Sequence, residues 1–256
     1  MSATVAPELQ PGAAPADERR VRVDLAAAYR LVAHFGWDDL IFTHISARVP
    51  GPEHHFLINP YGMLFGEITA SSLVKVDLDG TIVEPTPYAI NPAGFTIHSA
   101  IHAAREDATC VLHLHTIAGV AVSCQEHGLL PIDQTSMLFN SELAYHEYEG
   151  IALMLDERPR LVADLGQKNA MMLRNHGTLT VGTSVARAFS TMYLLERACA
   201  MQVAALAGGT KLHYPKPEVQ EVVRRQAAVG LTGNEPQLAW DALLRMLDAK
   251  DPSYRA

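Results

Sequence analysis

A chain of 256 residues that is 48% hydrophobic and 19% charged has enough apolar material for one sizeable core. Its net charge of −8 leaves no basic face for nucleic acid or anionic lipid. The cysteines Cys110, Cys124 and Cys199 form no CxxC pair and are odd in number, which suits reduced thiols rather than a disulfide framework.

The opening stretch MSATVAPELQPGAAPADERR has neither the basic start nor the apolar core of a signal peptide, and its Ala/Pro/Gly content predicts a disordered tail over 1–20. No apolar run approaches the ~20 residues of a membrane span, so a cytoplasmic protein without membrane contact is expected. VRVDLAAAYRLVAHFGW then has helical spacing and stops at Gly36, a C-cap residue. THISARV and HFLIN alternate as short strands. LVKVDLDGTIVEP reads as two strands joined at the hairpin dipeptide Asp79-Gly80.

NPAGFTIHSAIHAARED predicts a helix with Pro92 near its start. TCVLHLHT follows as a strand, IAGVAVSCQEHG as a helix closed by Gly128, and ERPRLVADLG as another helix. NAMMLRNHGTLTVG carries two strands with a turn at Asn175–Gly177. Ser184 caps a long helix that ends at Gly208-Gly209, and two further helices follow. Without a strict βαβ repeat, a mixed sheet covered by helices fits best, with one domain over 21–210. A helical extension over 211–256 would pack on that domain or on a neighbouring subunit.

Successive side chains on a strand point to opposite faces, so His113 and His115 share a face with attachment points ~7 Å apart. That spacing lets both rings converge on one metal ion, although two hydrogen-bonded core histidines remain an alternative. His176, in the turn LRNHGTL, is a candidate third ligand, with Gly177 permitting a tight turn; taken alone it reads as a surface histidine.

Together, VLHLHTIAGVAVS and LRNHGTL, with THISARVPG, INPYGMLFGEI, AGFTIHSAIHAAREDATCVLHLHT, GLLPIDQTS and AYHEYEGI in order, resemble the class II aldolase/adducin family from about Val23 to Gly208. The resemblance implies an α/β/α three-layer sandwich around a mixed, largely antiparallel sheet. It also implies a homotetramer with active sites between subunits and a divalent metal on His113, His115 and His176. Zinc is the metal of the best-known aldolases; iron, manganese and nickel also suit three imidazoles.

The sequence departs from the sugar-phosphate aldolases of that family at other positions. Gly94 stands where they carry an acid/base glutamate, and Pro92-Ala93 replace a serine pair that binds phosphate. Thr43-His44-Ile45-Ser46 and Tyr61-Gly62 replace two other phosphate-binding stretches. His44, Ser46, Tyr61, Gly62 and Gly94 are therefore the expected substrate-binding positions, for a flatter, non-phosphorylated ligand.

His98 and His102 lie four apart on one helical face, able to orient ligands or a substrate carboxylate, or to pack at a subunit contact. His98, Tyr145 and His146 are the expected catalytic side chains, while Tyr148 reads as a surface residue. The expected function is a metal-dependent lyase, by aldol cleavage or decarboxylation, on a small hydroxy/keto acid or carbonyl compound. A non-haem iron oxygenase and an adducin-like interaction module without catalysis are the alternatives. The expected partners are a small-molecule substrate and other copies of the chain, with no nucleic acid and no membrane.

Overall fold

The computed structural model describes residues 16–151, 154–230 and 233–256. Helix α1 (Ala16–Phe35) buries Leu25, Ala28, Leu31 and Val32 and ends at Gly36, whose φ of 68° is the left-handed cap expected of glycine. Residues 16–20 are thus helical rather than part of the expected tail, because Glu18 is drawn into ion pairs with Arg22 and Lys75 at 2.8 Å each. Residues 1–15 lie outside the described residues.

Seven strands follow among the described residues: β1 (His44–Arg48), β2 (Phe56–Ile58), β3 (Val74–Val76), β4 (Cys110–Leu114), β5 (Leu143–His146), β6 (Ala170–Leu173) and β7 (Gly177–Gly182). They form one sheet in the order β3-β2-β1-β4-β7-β6-β5. Every neighbouring pair is antiparallel except β5 with β6. The helices are α2 (Pro92–Ala104), α3 (Ile117–Ser123), α4 (Gln134–Met137), α5 (Arg158–Leu165), α6 (Val185–Leu206), α7 (Pro217–Gly230) and α8 (Glu235–Lys250).

Strand alternation sorts the core into two layers. Ile45, Ala47, Leu57, Cys110, Leu112 and Leu114 pack with α1, α6 and α8 on one face. Val111, Met171, Leu173, Leu179 and Val181 pack with Ile97 and Ile101 of α2 and Leu161 and Leu165 of α5 on the other. The result is a three-layer α/β/α sandwich around a mixed, largely antiparallel sheet. Trp240, Leu247 and Tyr254, beyond residue 210, sit in the α1 layer of this core, and Trp240 Nε1 donates to Asp24 at 3.2 Å.

The expected 74–84 hairpin forms only its first strand. After Gly80 the chain returns through a single bridge, Val76 with Ile82, and then runs over Pro85 and Pro87, which cannot donate to a ladder. The expected helix over 117–128 stops at Ser123, and Gly128 closes a separate turn from Gln125. The helix of Arg158–Leu165, the β6–β7 pair and the Ser184-capped α6 form as read from sequence. No helix among the described residues is long and apolar enough to cross a membrane.

Candidate metal centre

Because Leu112 and Leu114 face the α1 layer, His113 faces α2. His115 lies one residue past β4. The turn holding His176 is made by Asn175, in the left-handed region at φ 56°, and the His176 N–H donates to the Leu173 carbonyl at 3.1 Å. The turn falls where the sequence predicts it, but Asn175 rather than Gly177 supplies the left-handed residue. A side chain in place of Gly177 would collide with the Leu114 carbonyl and crowd His115 Cδ2 at 3.1 Å, so glycine allows β7 to close against the end of β4.

The three rings meet, with centroids 4.7 Å apart for His113–His176 and 4.8 Å for each of the other pairs. Their ligand nitrogens all lie within 4.8 Å of one another. His113 Nδ1 donates to the Thr178 carbonyl at 3.0 Å, and His115 Nδ1 donates to the Asp39 carboxylate at 3.1 Å. Both Nε2 atoms are therefore bare in the neutral rings, and they face each other at 3.0 Å. Two lone pairs so placed repel unless a cation lies between them. In a tetrahedral site with metal–nitrogen bonds of ~2.0–2.1 Å, ligand nitrogens stand about 3.3 Å apart, so the donor set fits a divalent ion.

Electrostatics favour neutral rings at His113 and His176. Burial, then the neighbouring His176, His115 and His44, hold His113 well below the ordinary histidine range. Burial, then His115 and His146, lower His176 to about 4. Metal ligation needs unprotonated imidazoles, so these rings need give up no proton near neutrality.

Beside the triad runs a line of buried polar groups. His44 lies with its ring centroid 5.3 Å from that of His113. His44 Nδ1 is 2.9 Å from His98 Nε2, and His98 Nδ1 is 2.6 Å from Ser46 Oγ. Ser46 Oγ is also 2.7 Å from His102 Nε2, whose Nδ1 donates to the Ala108 carbonyl at 2.9 Å. Burial, then His115 and His176, lower His44 to about 3. Gly94, at the start of α2, leaves the room that the His44 ring occupies. A Cβ there would lie 2.7 Å from His44 Cγ and 2.9 Å from Nε2.

Of the expected substrate-binding positions, His44, Ser46 and Gly94 thus gather beside the triad, with Ser46 enclosed between His98 and His102. Tyr61 and Gly62 lie in the exposed turn after β2, where the Tyr61 N–H donates to the Ala89 carbonyl at 2.8 Å. Among the expected catalytic side chains, His98 is fully enclosed and meets His44 rather than the triad. His146 has both nitrogens engaged by carboxylates, Asp164 at 2.7 Å and Glu157 at 3.3 Å.

Tyr145 points to the opposite face of the sheet by strand alternation. Its hydroxyl accepts from the Leu129 N–H at 3.0 Å, and the Arg174 guanidinium covers its ring. Tyr148 approaches the triad instead, with its ring centroid 6.2 Å from that of His176. Tyr148 is exposed, as its sequence context predicts, whereas nothing in the sequence singles out Asp39. Neither lies at a spacing that points to His115 or His176. A large apolar cavity of about 830 Å³ lies elsewhere, between α6 and α8, lined by Phe189, Tyr193, Leu243 and Met246.

Residues 23–203 match the family described as the class II aldolase and adducin N-terminal domain, and the chain belongs to that family. It is 63% identical over 238 residues to a Caulobacter vibrioides protein named for the class 2 aldolases, covering 93% of this chain and 92% of that one. Rat alpha-adducin is 44% identical over 245 residues, which cover 90% of this chain and 33% of the adducin. A solved aldolase II superfamily protein from Pseudomonas syringae superposes with a TM-score of 0.92 at 56% identity, over 95% of this chain and 98% of that one. The class II aldolases of this family are metal-dependent lyases.

Proposed function

We propose that the protein is a metal-dependent lyase that cleaves a carbon–carbon bond, by aldol cleavage or decarboxylation, in a small non-phosphorylated hydroxy/keto acid or carbonyl compound. The observation that carries this reading is the pair of bare nitrogens of His113 and His115 facing each other at 3.0 Å, with His176 closing the triangle. His113, His115 and His176 would hold the ion, zinc first, with iron, manganese or nickel as alternatives. A divalent ion there supplies Lewis acidity to a carbonyl or enolate oxygen, undiminished by any anionic ligand.

The rest of the site argues against a phosphorylated substrate. Pro92 has no N–H, and the Ala93 N–H already donates to the Asn91 side chain at 3.1 Å. Pro92, Ala93 and Gly94 offer no side-chain donor, so the start of α2 lacks the convergent groups that a phosphate needs. His44 and Tyr148 flank the triad and would contact the substrate.

Exposed apolar side chains lie close in sequence to the triad: Ile117 at 91% exposure beside His115, and Ile151 at 72% beyond Tyr148. They suit cover by a second copy, and we read the assembly as a homotetramer with a small molecule bound between subunits. Light scattering that finds a stable monomer would remove the shared site.

Elemental analysis of untagged protein, with His113→Ala beside it, tests the metal. About one ion per chain in the wild type and none in the variant is expected, and a metal-free wild type after metal loading would end the reading. A screen of hydroxy and keto acids against fuculose and ribulose phosphates tests the substrate class, and efficient cleavage of the phosphates would overturn it. Oxygen consumption coupled to turnover with iron would identify an oxygenase instead. Because the chain is 44% identical to an adducin, a folded His113→Ala variant with full cellular function would favour an interaction module.

A further inference from the structure

We infer that a buried hydrogen-bonded chain, anchored on the Ala108 carbonyl and running through His102, Ser46 and His98, holds His44 in one tautomer whose bare Nε2 accepts a hydrogen bond from a substrate hydroxyl. The substrate part rests on the lyase reading above, and the tautomer part rests on geometry alone.

The direction of every bond follows from one fact: a carbonyl oxygen only accepts. The proton of His102 must therefore lie on Nδ1, which faces the Ala108 carbonyl at 2.9 Å. His102 Nε2 is then a lone pair, and the contact at 2.7 Å requires Ser46 to donate its single hydroxyl proton there. With that proton committed, Ser46 Oγ can only accept from His98 at 2.6 Å, so the proton of His98 lies on Nδ1. His98 Nε2 is bare and accepts at 2.9 Å from His44 Nδ1–H. A neutral His44 has no second proton, so its Nε2 is bare.

The argument needs neutral rings, and the surroundings keep them so. Burial, then His44 and His102, hold His98 well below the ordinary histidine range. Burial, then the Arg48 cation, lower His102 to about 3. Arg48 also donates to the carbonyl of His102.

At the far end, His44 Nε2 has no hydrogen-bond partner among the described residues. The ring fills the room that Gly94 leaves, with Nε2 2.9 Å from where a Cβ would stand, and its centroid lies 5.3 Å from that of His113. With no proton of its own, Nε2 rewards a ligand that brings a hydroxyl and gives nothing to a carboxylate or carbonyl oxygen. Ser46 and His98 are positioning residues in this scheme, acting through His44.

Long-range proton–nitrogen correlation spectra of metal-free protein carrying ¹⁵N-histidine read the tautomers directly, with His44→Gln assigning the His44 signals. His44, His98 and His102 should all appear as the Nδ1–H form. A proton on His44 Nε2 in the wild type would overturn the proposal. In Ser46→Ala, His102 should keep its tautomer, since Ala108 still anchors it, while His98 and His44 become mixtures. An unchanged His44 would show that the chain does not hold it.

The acceptor role is read by calorimetry on zinc-loaded protein with glycolate and acetate as probes. The wild-type preference for glycolate should fall about fivefold in Ser46→Ala, the size of one ordinary hydrogen bond. An unchanged preference would overturn the acceptor role. Failure of zinc-loaded wild type to bind either acid would count against the hydroxy-acid reading, whereas the tautomer stands or falls on the spectra.

Discussion

Asp39 lies 76 residues before His115, yet its carboxylate accepts from His115 Nδ1 at 3.1 Å. A carboxylate in that position orients the ring and makes the opposite nitrogen a stronger donor. Asp39→Asn keeps the size of the side chain but weakens the acceptor. We expect a 10–100-fold loss of metal affinity, the usual effect of such outer partners. Chelator competition would measure it, with circular dichroism to show that the fold is kept. Unchanged affinity would remove Asp39 from the centre. Thr178 serves His113 in the same way through its backbone carbonyl, which substitution of the side chain leaves in place.

The start of α2 joins helix chemistry to the site. Asn91 caps the helix by accepting from the Ala93 N–H, Pro92 fills a position where no N–H is needed, and Gly94 and His98 follow within two turns. Asn91→Ala should cost about 1 kcal/mol, the typical value for a lost N-cap, read as a lower denaturant midpoint with an unchanged slope. No change would mean that water caps the helix equally well. On the other side of the sheet, the Thr116 hydroxyl donates to Glu196 of α6 and accepts from the Gly119 N–H at 3.1 Å. That bond ties the residue after His115 to the longest helix and fixes where the chain turns from β4 into α3.

At the scale of the whole molecule, enclosed neutral histidines couple the fold to pH. His44, His98 and His102 are all lowered, chiefly by burial, so the folded protein leaves them neutral well below the point where the unfolded chain protonates them. The unfolded state therefore binds more protons, and stability rises with pH. Their contribution is fully present above about pH 6.5 and is lost as pH falls from there towards about 3. Within that window each proton adds a slope of about 1.4 kcal/mol per pH unit. Denaturant midpoints of the metal-free protein, measured between about pH 7.5 and 5, should fall steeply on the acid side. A flat profile would mean that the folded protein takes up these protons.

Much of this was legible in the sequence because it depends on local order along the chain. The alternation of CVLHLHT defines a strand with two histidines on one side, the Ser184 cap and Gly208-Gly209 bound a helix, and the motif order carries the family and hence the sandwich. What escaped depends on which segments meet. Asp39 reaches His115, and Glu157 and Asp164 occupy His146, only because the sheet order brings distant strands and helices together. Tyr145 leaves the site because β5 turns alternate residues to opposite layers, while Tyr148, past the end of the strand at His146, lies at the surface as expected and reaches His176 from there. In the sequence Gly94 reads as a missing acid and a substrate-binding position. Its physical role, making room for the His44 ring, is set by β1 and α2 packing at a distance where no Cβ fits.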